Sequence, residues 1–202
     1  MTFACYNSEN LMTAKPEGIN VLLISGSTRE PSHTRAAARH VQALLEDTEG
    51  VTTSFWDLRD KPLPIADPEY HREPHKHPDP AVRELVAQAD NADAYVLATP
   101  DYHNSMSGVI KNALDHLRWN QFDHKPVGVM AHGDGLSVSL PAAQLRLVTR
   151  AMQGISIPTN VLTEDSDFDE AQGGYQLASS DIKGRMKRFT SELVDIASRL
   201  KK

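Results

Sequence analysis

Short apolar segments alternate with helical segments along the chain, and this alternation limits the possible folds more than any other feature. The first apolar segment, Ile19–Ile24, is rich in β-branched and aliphatic residues, which is typical of a strand buried on both faces. Strands are predicted at 19–24, 51–56, 94–99, 126–131 and 155–162. Helices are predicted between and after them, at 34–46, 79–89, 106–117, 140–152 and 181–200. Strands separated by helices predict a parallel sheet with right-handed crossovers, here an α/β three-layer sandwich with the five-strand order 2-1-3-4-5. Pro158 indicates that the fifth strand lies at an edge of the sheet.

Length and charge restrict the class of protein. The 202 residues suit one α/β domain, which we place at residues 19–202, preceded by a flexible N-terminal extension at residues 1–18. A net charge of -6 argues against nucleic-acid and anionic-membrane partners. The single cysteine, Cys5, excludes an internal disulfide, and residues 1–18 lack the pattern of a signal peptide. We therefore expect a cytoplasmic protein with no membrane partner.

Two turns rich in hydroxyls and small residues follow the first and third predicted strands. The first is Ser25–Thr34 and the second is Pro100–Gly108. In a parallel sheet of this order, strands one and three are neighbours, and ligands bind outside their carboxyl ends. We therefore expect both turns to border one ligand site.

The first turn can be interpreted in two ways. It lacks both the Lys-Ser/Thr of a Walker loop and the Gly-x-Gly-x-x-Gly of a dinucleotide site. The hydroxyls of Ser27, Ser32 and Thr34, with Arg29 nearby, suit a phosphate at a helix N-terminus. Alternatively, Ser32 or Thr34 caps the following helix and binds nothing.

The second turn distinguishes the two interpretations through a resemblance. The segment PDYHNSMSGVIKNALD at 100–115 resembles the signature of the NADPH-dependent FMN reductase family: Pro, an acidic residue, Tyr, small polar residues, then Gly-x-Leu-Lys-Asn-Ala-x-Asp. The first turn matches the Gly-Ser-x-Arg-x-x-Ser pattern of the same family, and the resemblance extends over about 20–164. It implies a flavodoxin-like fold that binds FMN and assembles as a homodimer or homotetramer.

The resemblance also implies which residues bind the cofactor. The first turn would hold the FMN phosphate, the second would line the isoalloxazine ring, and a third loop after strand four would lie beside the ring. The candidate cofactor-binding residues are Ser27, Arg29, Ser32, His33, Thr34, Pro100, Asp101, Tyr102, His103, Asn104, Ser105, His132, Gly133, Asp134 and Gly135. The histidines at 33 and 103 depart from the small or asparagine residues that are usual in the family.

The predicted activity is that of an NAD(P)H-dependent FMN oxidoreductase. NADPH or NADH would donate electrons, which would pass through FMN to a small acceptor: a quinone, an azo compound, a metal oxyanion, oxygen or free flavin. The cofactor supplies the chemistry, so no catalytic side chain is predicted. An alternative is a flavodoxin-like FMN-binding electron carrier that does not react with nicotinamide. A weaker alternative is a nicotinamide-binding dehydrogenase without flavin.

The longest irregular stretch is 57–80, and more than one function is possible for it. A stretch this long in a compact domain is often functional, so we expect a lid over the flavin or a subunit contact. Its histidines, His71, His75 and His77, match no standard metal-site spacing, and no metal ligand is predicted. Asp57 stands where a Rossmann protein carries its ribose-binding carboxylate, but without the glycine motif we interpret it as the start of a loop.

Overall fold

A computed structural model describes residues 18–201 of the chain. The elements alternate as the sequence predicts, and they are, in chain order, β1 Ile19–Ser25, α1 His33–Glu46, β2 Val51–Asp57, α2 Pro80–Asn91, β3 Ala94–Pro100, α3 Gly108–Asp115, α4 Trp119–Phe122, β4 Pro126–His132, α5 Ser139–Ala151, β5 Ile155–Ser156, β6 Val161–Thr163, β7 Phe168–Ala171, β8 Gly174–Leu177 and α6 Ser180–Leu200. The extension predicted at residues 1–18 lies, except for Gly18, outside the described residues.

The main sheet is parallel and has the predicted order. Its strands run β2-β1-β3-β4-β5, and β6 also pairs with β4. The prediction of one continuous fifth strand at 155–162 was wrong, because the edge strand is split into β5 and β6. Pro158 lies in the break, and proline lacks the backbone N–H that a ladder needs.

Helices cover both faces of the sheet and divide the core in two. On one face, the apolar sides of α2, α3 and α5 pack around Trp56 and Tyr95, both fully buried. On the other face, α1 and α6 pack on the sheet, with Phe189 at the centre. Gly128 in β4 makes room for that ring, since a Cβ there would lie 2.2 Å from Phe189 Cζ. The core therefore fixes the two helix layers and leaves the carboxyl edge of the sheet open for loops.

Side-chain caps fix where most of the long helices begin. Asp79 accepts a hydrogen bond from the backbone of the first turn of α2, and Pro80 occupies the first helical position, where proline is tolerated. Ser32 caps α1 and Ser107 caps α3. Ser179 caps α6, because its side chain accepts from Ile182 N.

A two-stranded antiparallel hairpin, β7–β8, was not predicted. It follows β6, and its Phe168 and Leu177 are buried in the core on the α1–α6 face. The hairpin contacts the N-terminal part of α1 through Tyr175, whose ring stacks on His33 at 3.5 Å between centroids. It therefore adds a wall beside the first loop. Across residues 18–201, no helix combines the length and apolarity needed to cross a bilayer.

Candidate functional site

A cleft of about 370 Å³ lies at the carboxyl edge of β1, β3 and β4. Its volume is within the range of small-molecule sites. Its walls come from three loops and from one residue after β6. The lining residues are Ser27, Arg29, Ser32, His33, Thr34, Pro100, Asp101, Tyr102, His132, Gly133, Asp134 and Asp165. Eleven of these belong to the predicted cofactor-binding set, so loops that are distant in sequence meet as the strand order requires.

The first loop presents buried hydroxyls at the N-terminus of α1. Ser27, Ser32 and Thr34 are all nearly inaccessible to solvent. Ser32 Oγ accepts a hydrogen bond from Arg35 N at 3.2 Å, which leaves its hydroxyl proton free to donate. The first N–H groups of a helix have no partner within the helix, and the helix dipole adds partial positive charge there. This end of the cleft is therefore a set of donors suited to an anion.

A largely buried ion pair between Arg35 and Asp57 supports the first loop. Arg35 in α1 binds both carboxylate oxygens of Asp57, one through Nε and the other through Nη2 at 3.2 Å. Its Nη1 donates to Glu30 Oε2 at 2.7 Å and to Arg29 O at 3.2 Å. Bidentate Arg–carboxylate pairs fix geometry as well as charge. Asp57 is 5% exposed and fully engaged, so it braces the loop and is not available to bind a ribose.

The second loop closes on itself in a tight turn. Tyr102 and Ser105 exchange two backbone hydrogen bonds of 2.9 and 3.1 Å. Between them, His103 and Asn104 have φ values of 55° and 62°, the left-handed pair of a type I′ turn. Asparagine and histidine adopt this conformation more readily than other non-glycine residues. His103 and Asn104 therefore form the tip of a turn.

Gln144, from α5, holds that turn in place. Its Oε1 accepts from Ser105 Oγ at 2.7 Å and lies 3.4 Å from Met106 N, and its Nε2 donates to Asn104 O at 3.2 Å. Ser107 joins the second loop to the first, since its Oγ donates to Gly26 O at 2.6 Å. The second loop is thus anchored to α5 on one side and to the first loop on the other.

The third loop packs tightly against the second. A Cβ at Gly133 would lie 2.6 Å from Asp101 Cβ, so only glycine fits there without movement. Ser137 Oγ lies 2.8 Å from Asp101 Oδ2 and fixes that carboxylate. Asp101 Oδ1 is buried and has no hydrogen-bond partner among the described residues. Asp134 and Gly135 donate their backbone N–H groups to no acceptor in the described part of the chain. The third loop therefore has two free backbone donors, of which that of Asp134 lies at the cleft wall.

Two histidines share one carboxylate on the α1 side of the cleft. His33 Nδ1 lies 3.3 Å and His132 Nε2 lies 3.1 Å from Asp165 Oδ1. Their rings are 4.6 Å apart and border Phe168. Burial lowers the pKa of both His33 and His132, against the opposing attraction of Asp165. Burial therefore favours the neutral form of both imidazoles.

Some predicted residues lie beyond the cleft wall. His103, Asn104 and Ser105 form or flank the turn tip, and Gly135 begins the short 3-10 turn after the third loop. Among the described residues, the stretch 57–80 contributes nothing to the lining of the cleft. It packs on α3 and α4 instead, for example where Asn112 binds Pro64 O and Ala66 N. The structure therefore does not place it as a lid.

Sequence reasoning missed two residues of the site. Asp165 follows β6, so its position after a parallel strand is the signal that would have placed it at the same edge. Gln144 gives no such signal, because a glutamine on an amphipathic helix resembles a solvated surface residue.

Comparisons with known proteins agree with the geometry. The model of a family described as NADPH-dependent FMN reductase matches residues 19–169. An FMN-dependent NADPH-azoreductase of Staphylococcus aureus (strain USA300) is 35% identical over 178 residues, which is 88% of this chain and 94% of the relative. The curated relatives from other Staphylococcus aureus strains carry the same name.

Solved structures share the fold at lower identity. A flavoenzyme NAD(P)H:(acceptor) oxidoreductase, FerB, from Paracoccus denitrificans superposes with a TM-score of 0.71 at 22% identity, covering 90% of this chain and 98% of that one. A flavodoxin, WrbA-like protein from Agrobacterium tumefaciens gives 0.62 at 16% identity, covering 92% and 100%. These likenesses show a flavodoxin-like fold.

Proposed function

The chain belongs to the NADPH-dependent FMN reductase family, and from this membership we propose that its three-loop cleft binds FMN and serves an NAD(P)H-dependent reduction of small molecules. The observation that carries the proposal is the meeting of the first and second loops at the point where the strand order reverses. Ligands of such sheets bind at that point.

The donors at the start of α1 fit a phosphate. Ser27, Ser32 and Thr34 would donate hydroxyl protons to it, and backbone N–H groups at the helix N-terminus would add further hydrogen bonds. Arg29 is exposed at the cleft wall and adds a full positive charge. The Arg35–Asp57 pair keeps these donors in place before any ligand arrives, which lowers the ordering cost of binding.

The second and third loops fit a flat polar ring. The backbone N–H groups of Asp134 and Gly135 would donate to ring oxygens. Pro100 has no N–H and makes the entry to the loop rigid.

The side chains orient substrates and do not take part in bond making. Bound flavin would supply the redox chemistry, in which a nicotinamide donor is oxidised and an acceptor is reduced. Backbone donors of the third loop would stabilise negative charge that develops on the ring, because fixed dipoles act strongly in a site with little water. The chain accordingly needs no acid–base pair, and the histidines serve as wall residues.

The acceptor is a small molecule, and we propose an aromatic azo compound or quinone. The name of the Staphylococcus aureus relative supports the azo class. Tyr102 lies in the second loop at the cleft wall and is 45% exposed, which offers a flat surface on which an aromatic acceptor stacks.

We also propose that the chain assembles as a homodimer or homotetramer. Large apolar side chains are exposed around the second and third loops and on α4: Leu136 is 95%, Trp119 48% and Leu140 46% exposed. Exposed apolar patches on globular proteins commonly mark interfaces. Light scattering after size-exclusion chromatography tests this proposal, and a monomer mass would contradict it.

Purified protein tests the proposed function directly. After loading with FMN and desalting, the chain should retain flavin absorbance, and anaerobic mixing with NADPH or NADH should bleach it in a stopped-flow instrument. Aerobic assays with an azo dye and a quinone would then identify the acceptor. A protein that retains flavin but is not bleached by either nicotinamide would be an electron carrier instead.

A further inference from the structure

His33, His132 and Asp165 form a cluster that the flavin chemistry leaves without a role. Each offers one ligand atom, and the three atoms lie within 4.8 Å of one another. His33 is 9% and His132 14% exposed, whereas Asp165 is 85% exposed. The cluster therefore combines two buried nitrogen donors with one solvent-facing carboxylate.

The two nitrogen–carboxylate distances in the cluster match those between ligands of one metal ion. With metal–ligand bonds of about 2.05 Å, the separations of 3.1 and 3.3 Å correspond to ligand–metal–ligand angles of about 98° and about 107°. Angles near these values are normal for a four-coordinate ion. Two imidazoles and one carboxylate leave a fourth position, open to the cleft, for water or an anionic oxygen.

A second interaction orients the His132 ring. Its Nδ1 lies 3.1 Å from Thr163 Oγ1, and that hydroxyl lies 3.5 Å from Ala131 O. An Nδ1–H that donates to Thr163 leaves the Nε2 lone pair directed at Asp165. Such outer hydrogen bonds are usual for metal-binding histidines, because they fix the tautomer and the ring.

We propose that His33, His132 and Asp165 bind a divalent transition-metal ion of the zinc class at the wall of the cleft. Imidazole nitrogens favour such ions over Mg²⁺ and Ca²⁺, which prefer oxygen ligands. Metal binding requires unprotonated imidazoles, and the burial of both rings favours that form. Arg29 opposes the ion from the side of His33, while Asp165 and Asp167 attract it from the side of His132. The proposal does not depend on flavin binding.

Calorimetric titration of ZnCl₂ into the untagged full-length chain, treated with a chelator and with its flavin content recorded, tests this site. One saturable site per chain is expected. Asp165→Asn should weaken binding by about tenfold or more, and it keeps the size of an exposed side chain. His33→Ala should weaken it similarly. His75→Ala is the matched control, because His75 faces a single carboxylate, Asp90, at 3.3 Å.

Zinc binding by the two variants distinguishes a specific site from unspecific binding to surface histidines. A site lost in Asp165→Asn and kept in His75→Ala supports the proposal. An anomalous peak within about 2.0–2.2 Å of the two imidazole nitrogens in a zinc-soaked crystal supports it independently. Unchanged affinity in Asp165→Asn, saturable binding of MgCl₂ with equal affinity, or no saturable zinc site would overturn it.

Discussion

Substitution of Ser32 can distinguish a structural role from a ligand-binding role, because its hydroxyl both caps α1 and lines the cleft. Its Oγ caps α1 by accepting from Arg35 N, and Ser179 caps α6 by accepting from Ile182 N. Only Ser32 lines the cleft. Ser32→Ala and Ser179→Ala therefore remove the same kind of cap, but only the first removes a hydroxyl that would bind phosphate.

The two effects have different expected sizes. Loss of either cap costs about 1 kcal/mol of stability, which lowers Tm by about 2–4 °C in a chain of this length. Ser32→Ala additionally loses a hydrogen bond to a charged group, worth about 1.5–3 kcal/mol. That loss raises the FMN dissociation constant about 10- to 150-fold.

Thermal unfolding without flavin and quenching of flavin fluorescence measure the two effects separately. Both variants should show a lowered Tm, and only Ser32→Ala should show weakened FMN binding. If Ser32→Ala bound FMN as tightly as the wild type, the phosphate would not lie at this helix. If Ser179→Ala weakened FMN binding equally, the effect would be one of general stability.

Three further perturbations follow from the same geometry. Gly133→Ala should weaken FMN binding and cost about 1–3 kcal/mol of stability, because the new Cβ would force the second and third loops apart. Gly184→Ala is the control: Gly184 lies in the second turn of α6 with open space around it, so this variant should gain about 0.5–1 kcal/mol and bind FMN normally. Chemical unfolding and fluorescence titration check both variants. Gln144→Ala should raise the FMN dissociation constant about tenfold, because the second loop loses its contacts with α5. Gln144→Glu keeps the oxygen that accepts from Ser105 and should have a smaller effect. Equal effects of the two variants would contradict the role of Gln144 in holding the second loop. Burial lowers the pKa of His33 and His132, so the unfolded chain binds protons at a higher pH than the native chain does. The free energy of unfolding should therefore fall as pH drops below about 6.5. Urea unfolding of the double variant His33→Gln/His132→Gln should show a shallower fall, and an unchanged slope would contradict the prediction.

Local sequence patterns predicted the sheet order and the meeting of the first two turns, and the family resemblance added the third loop. Ile19–Ile24 and 94–99 read as buried strands, and their adjacency in a doubly wound sheet brings the following turns together. The two interpretations of the first turn also prove compatible, since Ser32 caps α1 with its oxygen and keeps its proton for the cleft.

Features that depend on long-range packing could not be predicted in this way. The β7–β8 hairpin is held by Phe168 and Leu177 in the core and by Tyr175 against His33, contacts that no local pattern encodes. Gln144 binds the backbone of Asn104, which lies 40 residues before it in the sequence. The split of the edge strand at Pro158 was only partly foreseen, because proline signals an edge but not where pairing stops.

If the start of α1 holds the phosphate of a flavin, the chain should bind FMN more tightly than riboflavin, which has no phosphate. Measuring the two affinities is the most direct test of the proposed site. Both ligands would be titrated into the full-length chain by flavin fluorescence at fixed ionic strength. The phosphate gains at least two charge-assisted hydrogen bonds in this account, so FMN should bind about 100-fold or more tightly than riboflavin. Equal affinity for the two ligands would contradict the account, because the donors of the first loop would then have no phosphate to bind.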